Sequence, residues 1–206
     1  MGRCMRCRRQ DVLTIRTERL ELRILRPSEA SIVAEYLIRN RLFHTPYHQK
    51  QDDDYFTVQE QKDYLRSDLN KFFDDSQYSF WISPAGKPDR IIGRISFTAV
   101  IRGALNSCLV GYHLDEAEIG KGIMREALKA GCCYMFQTQN LHRIQADIMP
   151  TNSRSIAAAQ SCGFRRQGLN ERYMCINGKW QDHYIYALLN EKDWLDELPG
   201  TVSSDD

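Results

Sequence analysis

The sequence predicts one α/β domain built on a mixed, mostly antiparallel sheet of seven strands flanked by helices. Three observations lead there. The patterned segments run strand, two helices, three strands, helix, strand, helix, two strands. The 206 residues suit a single core, and a chain of that size buries about 70% of its unfolded surface. No internal repeat and no Pro/Gly/Ser-rich linker divides it.

Residues 1–12 read as a flexible basic tail, carrying Arg3, Arg6, Arg8 and Arg9. Alternation of Leu20, Leu22 and Ile24 with Glu21 and Arg23 predicts the first strand, Leu20–Leu25. Pro27-Ser28-Glu29 opens a helix to about Leu42, with Ala30, Val33, Tyr36 and Leu37 as its apolar stripe. Phe43–Phe56 is polar, holds Pro46 and Asp52-Asp53-Asp54, and is expected to be irregular. A second helix spans Thr57–Phe73, with Leu65, Leu69, Phe72 and Phe73 on one face. Tyr78–Ser83, Arg90–Val100 and Ser107–Leu114 form an antiparallel meander, turned at Pro84-Ala85-Gly86 and Arg102–Asn106. A helix follows over Lys121–Thr138, then a strand at Arg143–Ile148 and a short helix, Ser153–Cys162, stopped by Gly163. Strands Phe164–Ile176 and His183–Leu189 flank an Asn177-Gly178 turn. The domain is placed at 13–195, with 196–206 as a disordered tail.

Composition excludes several classes. Lys+Arg is 28 against Asp+Glu 27, so nothing suggests binding to DNA through bulk charge. No apolar run reaches the length of a membrane span. The N-terminus MGRCMRCRR lacks the apolar core of a secretory signal, and Arg6 breaks the myristoylation pattern. Seven scattered cysteines fit reduced thiols in the cytoplasm better than a disulfide framework. Cys4 and Cys7 form one C-x-x-C without a second half, and Pro46 between His44 and His48 opposes a helical metal pair, so no metal is expected.

The most informative stretch is Val110–Met124. A strand runs through a short loop into Ile119-Gly120-Lys121-Gly122-Ile123-Met124, which opens a helix. Glycines allow a tight turn and close ligand approach, and the first helical turn offers free N–H groups to an anion. The pattern is neither a dinucleotide fingerprint, since Arg125 stands at the third glycine, nor a P-loop. Downstream come Met149-Pro150-Thr151-Asn152-Ser153-Arg154-Ser155 and Ser161-Cys162-Gly163-Phe164.

In this combination the chain resembles the GNAT N-acetyltransferase superfamily, and within it the Rim group of ribosomal-protein acetyltransferases. Thr17-Glu18-Arg19-Leu20 resembles that group's opening motif. Met149-Pro150-x-Asn152-x-x-Ser155 and Asn177-Gly178-Lys179-Trp180-Gln181-Asp182-His183 are closest to its RimJ branch. Val100-Ile101-Arg102-Gly103 and Gln139–Ile144 are also similar. The likeness spans about 14–194. Ile119 stands where the superfamily usually has Gln or Arg, a small loss where backbone N–H groups do most of the phosphate binding.

The resemblance implies a GNAT acyl-CoA N-acyltransferase fold and direct transfer from acetyl-CoA to an amine in a ternary complex. It places Ile119, Gly120, Lys121, Gly122, Ile123 and Met124 on the pyrophosphate, and Tyr112, His113 and Leu114 along the pantetheine, on a strand that splays from its neighbour. Asn152 and Ser155 complete the coenzyme set. By likeness to the RimL enzymes, Ser155 protonates the departing thiolate; equally, Asn152 and Ser155 suit an ordinary helix start. The base stays open among His113, Glu171, Tyr173 and Asp182, with Met174 at the position where RimL carries a glutamate. Glu171 and Tyr173 stand with Ser155 as catalytic candidates.

The implied acceptor is the N-terminal alanine of a small-subunit ribosomal protein, met free or on the assembling ribosome, by a cytoplasmic monomer or weak dimer. Energetics favour an α-amine. Deprotonating it at pH 7 costs roughly 1.2 kcal/mol, against roughly 4.6 kcal/mol for lysine. Asp52–Asp54 reads as a solvated charge run or an attractor for a basic tail. A polyamine, aminoglycoside or lysine acceptor, or a non-catalytic ribosome-assembly role, remain the alternatives.

Overall fold

The computed structural model describes residues 13–190. The expected tails, Cys4 and Cys7 lie outside them. Strands are β1 Thr14–Arg16, β2 Leu20–Arg23, β3 Tyr78–Pro84, β4 Gly93–Ile101, β5 Ser107–Leu114, β6 Arg143–Ile148, β7 Arg165–Ile176 and β8 Lys179–Leu189. They form one sheet in the order β1-β2-β3-β4-β5-β6-β8-β7. The described sheet therefore has eight strands, one more than the sequence pattern predicts. The extra strand β1 has only three residues, too few to show alternation, and is held by pairing to β2. All pairings are antiparallel except β5 with β6. That one parallel pair requires a crossover, supplied by the helix between them.

The helices are α1 Ala30–Arg39, α2 Arg41–His44, α3 Val58–Phe73, α4 Ile123–Gln137 and α5 Ser153–Ser161. Thr57 caps α3, its hydroxyl accepting the Glu60 N–H at 3.2 Å. The helix expected to reach Leu42 ends at Arg39, and short turns fill the stretch to Phe56.

The two sheet faces carry separate cores. On one, Phe80, Ile82, Ile95, Phe97, Val110, Ile144 and Ala146 pack with Ala127, Leu128 and Met135 of α4. On the other, Trp81 and Ile91 pack with Val33, Tyr36, Leu37 and Leu65 of α1 and α3. Phe73, expected inward, is 43% exposed. On this second face β4 carries Arg94 and Ser96, β5 His113, and β6 Gln145 and Asp147, and there the site opens.

Candidate active site

The site begins where a ladder stops. β5 and β6 pair at Ser107–Arg143, Cys108–Ile144 and Leu109–Gln145, and no further. β5 runs on to Leu114, while β6 continues against β8 as far as Ile148–Tyr184. From Val110 to Leu114 the edge of β5 facing β6 has no strand partner, which is the splay that the resemblance implies. Backbone N–H and C=O groups on such an edge are ready to pair with an extended ligand.

Beyond β5, Asp115 leads into the glycine loop. Its carboxylate accepts from Arg39 Nε at 2.9 Å and Nη2 at 2.7 Å, and from the Ala117 N–H at 3.1 Å. Burial opposes ionisation of Asp115, but these donors outweigh it and lower its pKa. Gly120 and Gly122 both have positive φ, 79° and 74°, and Gly122 is the N-cap of α4. A β-carbon on Gly120 meets nothing within 4 Å, so backbone angle and not crowding demands glycine, and the space above the loop is open. The loop rests on the opening motif. Arg19 donates to the Lys121 carbonyl at 3.1 Å and to Glu126 at 2.6 Å, and Thr17 donates to Glu126 at 2.6 Å. These contacts hold the free N–H groups at the start of α4 in one orientation, as a pyrophosphate requires.

Two cavities meet at the splay. The first, about 110 Å³, lies toward α4 and α5 and is lined by Phe43, Leu114, Ile119, Met124, Arg154 and Ala158. The second, about 350 Å³, lies toward β4, β6 and β8 and includes Arg94, Ser96, Asp147 and His183. Both share walls made by Tyr47, His48, Tyr112, His113, Asn152 and Ser155. Open glycine loop, unpaired β5 edge and two adjoining cavities suit a long thin ligand with an anionic head, and coenzyme A has that form.

The predicted coenzyme residues gather here with differing roles. Ile123 and Met124 are mostly core, Met124 also lining the first cavity. Lys121 turns its ammonium to Glu118 at 3.0 Å. Asn152 is the N-cap of α5, accepting the Ser155 N–H at 3.2 Å. Ser155 Oγ donates to the Tyr112 hydroxyl at 3.0 Å. His113 points the other way, its Nδ1 sharing a hydrogen bond with the Tyr36 hydroxyl at 2.7 Å within a cluster with His44 and His48. His44 Nε2 donates to the Leu114 carbonyl at 2.8 Å. Burial lowers all three histidines, His48 to about 4.

The later-strand candidates fare differently. Glu171 is exposed and lines neither cavity. Tyr173 is 39% exposed, edge-on to His183 at 5.9 Å, and the charge of Asp147 raises its pKa. Both sit where β7 loses register with β8, between Asn170 and Met174. Arg172 there has φ 47°, and Asp182 accepts its N–H at 2.8 Å. Asp182 thus stabilises a bulge. Asp53 of the acidic run pairs with Arg41 at 2.6 Å.

Sequence reasoning missed Arg94, His48 and Asp147. Asp147 is the carboxylate of the second cavity, and burial raises its pKa. Its clue was alternation, since Ile144, Ala146 and Ile148 are buried while Gln145 and Asp147 take the opposite face. Among the described residues no group of three or more His, Cys, Asp or Glu side chains is placed to hold a metal, and no helix is long and apolar enough to cross a membrane.

Comparison with known proteins gives concordant matches. A family model described as the acetyltransferase (GNAT) domain matches residues 19–165. A probable N-acetyltransferase of Bacillus subtilis, YjcK, is 38% identical over 172 residues, 82% of this chain and 94% of its own. The [ribosomal protein uS5]-alanine N-acetyltransferase of Escherichia coli is 35% identical over 180 residues, 86% of this chain and 91% of its own. The structure of Mycobacterium smegmatis RimJ in complex with CoA-disulfide superposes with a TM-score of 0.81 at 26% identity, covering 92% of this chain and 90% of that one.

Proposed function

The chain belongs to the GNAT acetyltransferase family, and from that premise we propose that it acetylates the N-terminal α-amine of a ribosomal protein, a small-subunit protein beginning with alanine. The observation that carries the reading is the end of β5–β6 pairing at Leu109, which joins a coenzyme-side cavity to a polar acceptor-side cavity. The ribosomal acceptor is supported by the 35% identity to the uS5-alanine enzyme.

Acetyl-CoA, when bound, supplies an activated acetyl thioester. The loop Gly120-Lys121-Gly122 and the first turn of α4 hold its pyrophosphate. The unpaired edge of β5 holds the pantetheine, and a backbone N–H between Tyr112 and Leu114 steadies the charge that develops on the carbonyl oxygen. Asp147 holds the acceptor ammonium and takes its proton. The freed amine forms the C–N bond as the C–S bond breaks. Ser155 turns its hydroxyl from Tyr112 to the leaving sulfur and gives it a proton, which the acylated nitrogen restores as it sheds its second proton. The work takes place in the cytoplasm, on free protein or assembling ribosome.

Two matched peptides test this by mass spectrometry. One has a free N-terminal alanine and no lysine; the other has a blocked N-terminus and one lysine. Acetylation of the first alone is expected. Modification of the lysine peptide, or of neither, rejects the reading.

A further inference from the structure

The acceptor-side cavity contains one cation that the reaction chemistry leaves unused. Arg94 stands on β4 between Trp81 of β3 and His113 of β5, its register partners on either side. Its guanidinium lies over the Trp81 ring, 5.1 Å from the centroid. Nη2 donates to Asp68 at 2.7 Å and to Ser79 at 2.9 Å. Asp68 is itself held by Gln77 at 2.7 Å and lies behind Arg94, outside the cavity lining. The buried Nε of Arg94 has no hydrogen-bond partner. The side chain is 22% exposed and forms part of the cavity wall, as Asp147 and Ser155 do.

This is an arginine fixed in advance. Nη2 is tied to Asp68 and Ser79, one face is covered by indole, and the side chain keeps part of its surface on the cavity wall. A rigid guanidinium recognises oxygen acceptors at little entropic cost. The formal charges also choose among ligands. Asp147 and Asp68 against Arg94 leave a single negative charge for the ligand to balance. A primary ammonium followed by a neutral carbonyl balances it. A polyamine would bring a second ammonium against Arg94, and a free amino acid zwitterion, adding no net charge, would leave the site's negative charge unbalanced.

We propose that Arg94 is a specificity residue that binds the carbonyl oxygen next to the acceptor's α-amine, so that the site takes an α-aminoacyl group and discriminates against plain amines and polyamines. The proposal rests on reading the second cavity as the acceptor site. Asp147 takes the amine end, Arg94 takes the carbonyl end, and the thioester side lies across the splay near Tyr112 and Ser155.

The wild-type enzyme offers a first test with alaninamide and isopropylamine, compared at equal ammonium concentration, the form that Asp147 binds. They differ in that alaninamide carries a carboxamide where isopropylamine carries a methyl group. Alaninamide is expected to have a KM at least tenfold lower, and equal KM values would overturn the proposal. The second test uses R94Q and R94K with the N-terminal-alanine peptide and with spermidine. R94Q should raise the peptide KM at least tenfold, leave kcat within about threefold, and not lower spermidine turnover; R94K should recover part of the loss. Coenzyme binding should be unchanged in both. If R94Q fails to fold, the paired R94M/D68L variant removes both charges together and leaves neither buried alone. A peptide KM within twofold of wild type in folded R94Q or R94M/D68L would sink the proposal while leaving N-terminal acetylation intact. A wild-type enzyme that acetylates spermidine and no peptide would instead reject the functional reading itself.

Discussion

Tyr112 and Ser155 exchange two hydrogen bonds across the splay. Ser155 Oγ donates to the Tyr112 hydroxyl at 3.0 Å, and that hydroxyl donates to the Ser155 carbonyl at 2.9 Å. Burial raises the Tyr112 pKa, so the phenol keeps its proton at neutral pH. The two groups form a small donor chain at the mouth of both cavities.

Such a chain makes Ser155 and Tyr112 act as a unit. Ser155→Ala should lower kcat on the peptide about tenfold, toward the low end of general-acid effects, because a thiolate leaves with modest help. Coenzyme Kd should stay within about twofold. Tyr112→Phe should give a similar loss, and the double variant should be no worse than the poorer single, as coupled residues behave. An unchanged kcat in Ser155→Ala removes it from the chemistry and leaves it a helix-start residue.

Glycine at 120 is demanded by conformation alone, so its replacement separates loop geometry from packing. Gly120→Ala forces a left-handed angle on a β-carbon, at roughly 1–2 kcal/mol. The measurement is coenzyme binding by calorimetry, with an expected tenfold or greater loss and an unchanged peptide KM. Glu126→Ala should act in the same direction without touching the loop, because Thr17 and Arg19 lose their common anchor. Normal coenzyme affinity in Glu126→Ala would mean that the brace has no part in shaping the loop.

Asp147 predicts a particular pH signature. Its pKa is raised by burial, so the acid limb of kcat/KM should lie above the ordinary carboxylate range. Between that limb and the amine's own pKa of about 7.7–8.0, a base-equipped enzyme holds its rate. Asp147→Asn must wait for free amine, and its rate should climb about tenfold per pH unit up to pH 8. The wild-type advantage, about a hundredfold at pH 6.5, should shrink as pH rises. A ratio that is flat with pH would show that Asp147 does not take the proton.

What the sequence disclosed follows from how local each signal is. The β5 strand, the glycine loop and the Asn152 cap are contiguous patterns, and each stands where read. Arg94, His48 and Asp147 come from separate elements and meet only through sheet register and chain turns, which no local pattern encodes. Glu171, a candidate only for standing near the counted position Met174, lines neither cavity. Counting along a hairpin assumes an even ladder, and the bulge at Arg172 breaks it. The segment Phe43–Phe56 looked merely irregular, yet it delivers His44, Tyr47 and His48 to the site walls.

The histidine cluster makes the fold sensitive to mild acid. His44, His48 and His113 have ring centroids 5.0–5.2 Å apart. All three have lowered folded pKa values, chiefly through burial; mutual repulsion and Arg94 add to this for His48 and His113, while Asp115 and Glu116 partly offset it for His44. The unfolded chain, with pKa values near 6.5, therefore binds protons that the folded chain refuses. Stability must fall as pH drops through 6.5, with each histidine that stays neutral contributing about 1.4 kcal/mol between pH 7.5 and 5.5. Carboxylates with lowered folded pKa, such as Asp115 and Glu126, lose their contribution only at lower pH, while Asp147, whose folded pKa is raised, gains stability as pH falls and offsets part of the drop, so the comparison with a histidine variant isolates the histidine. Calorimetric melting at constant ionic strength should show a drop of about 3–5 °C per histidine over that interval. His48→Gln should retain a higher Tm at pH 5.5, relative to its own value at pH 7.5, by about that amount. An identical drop in wild type and His48→Gln would mean that His48 takes up its proton in the fold as readily as in the unfolded chain.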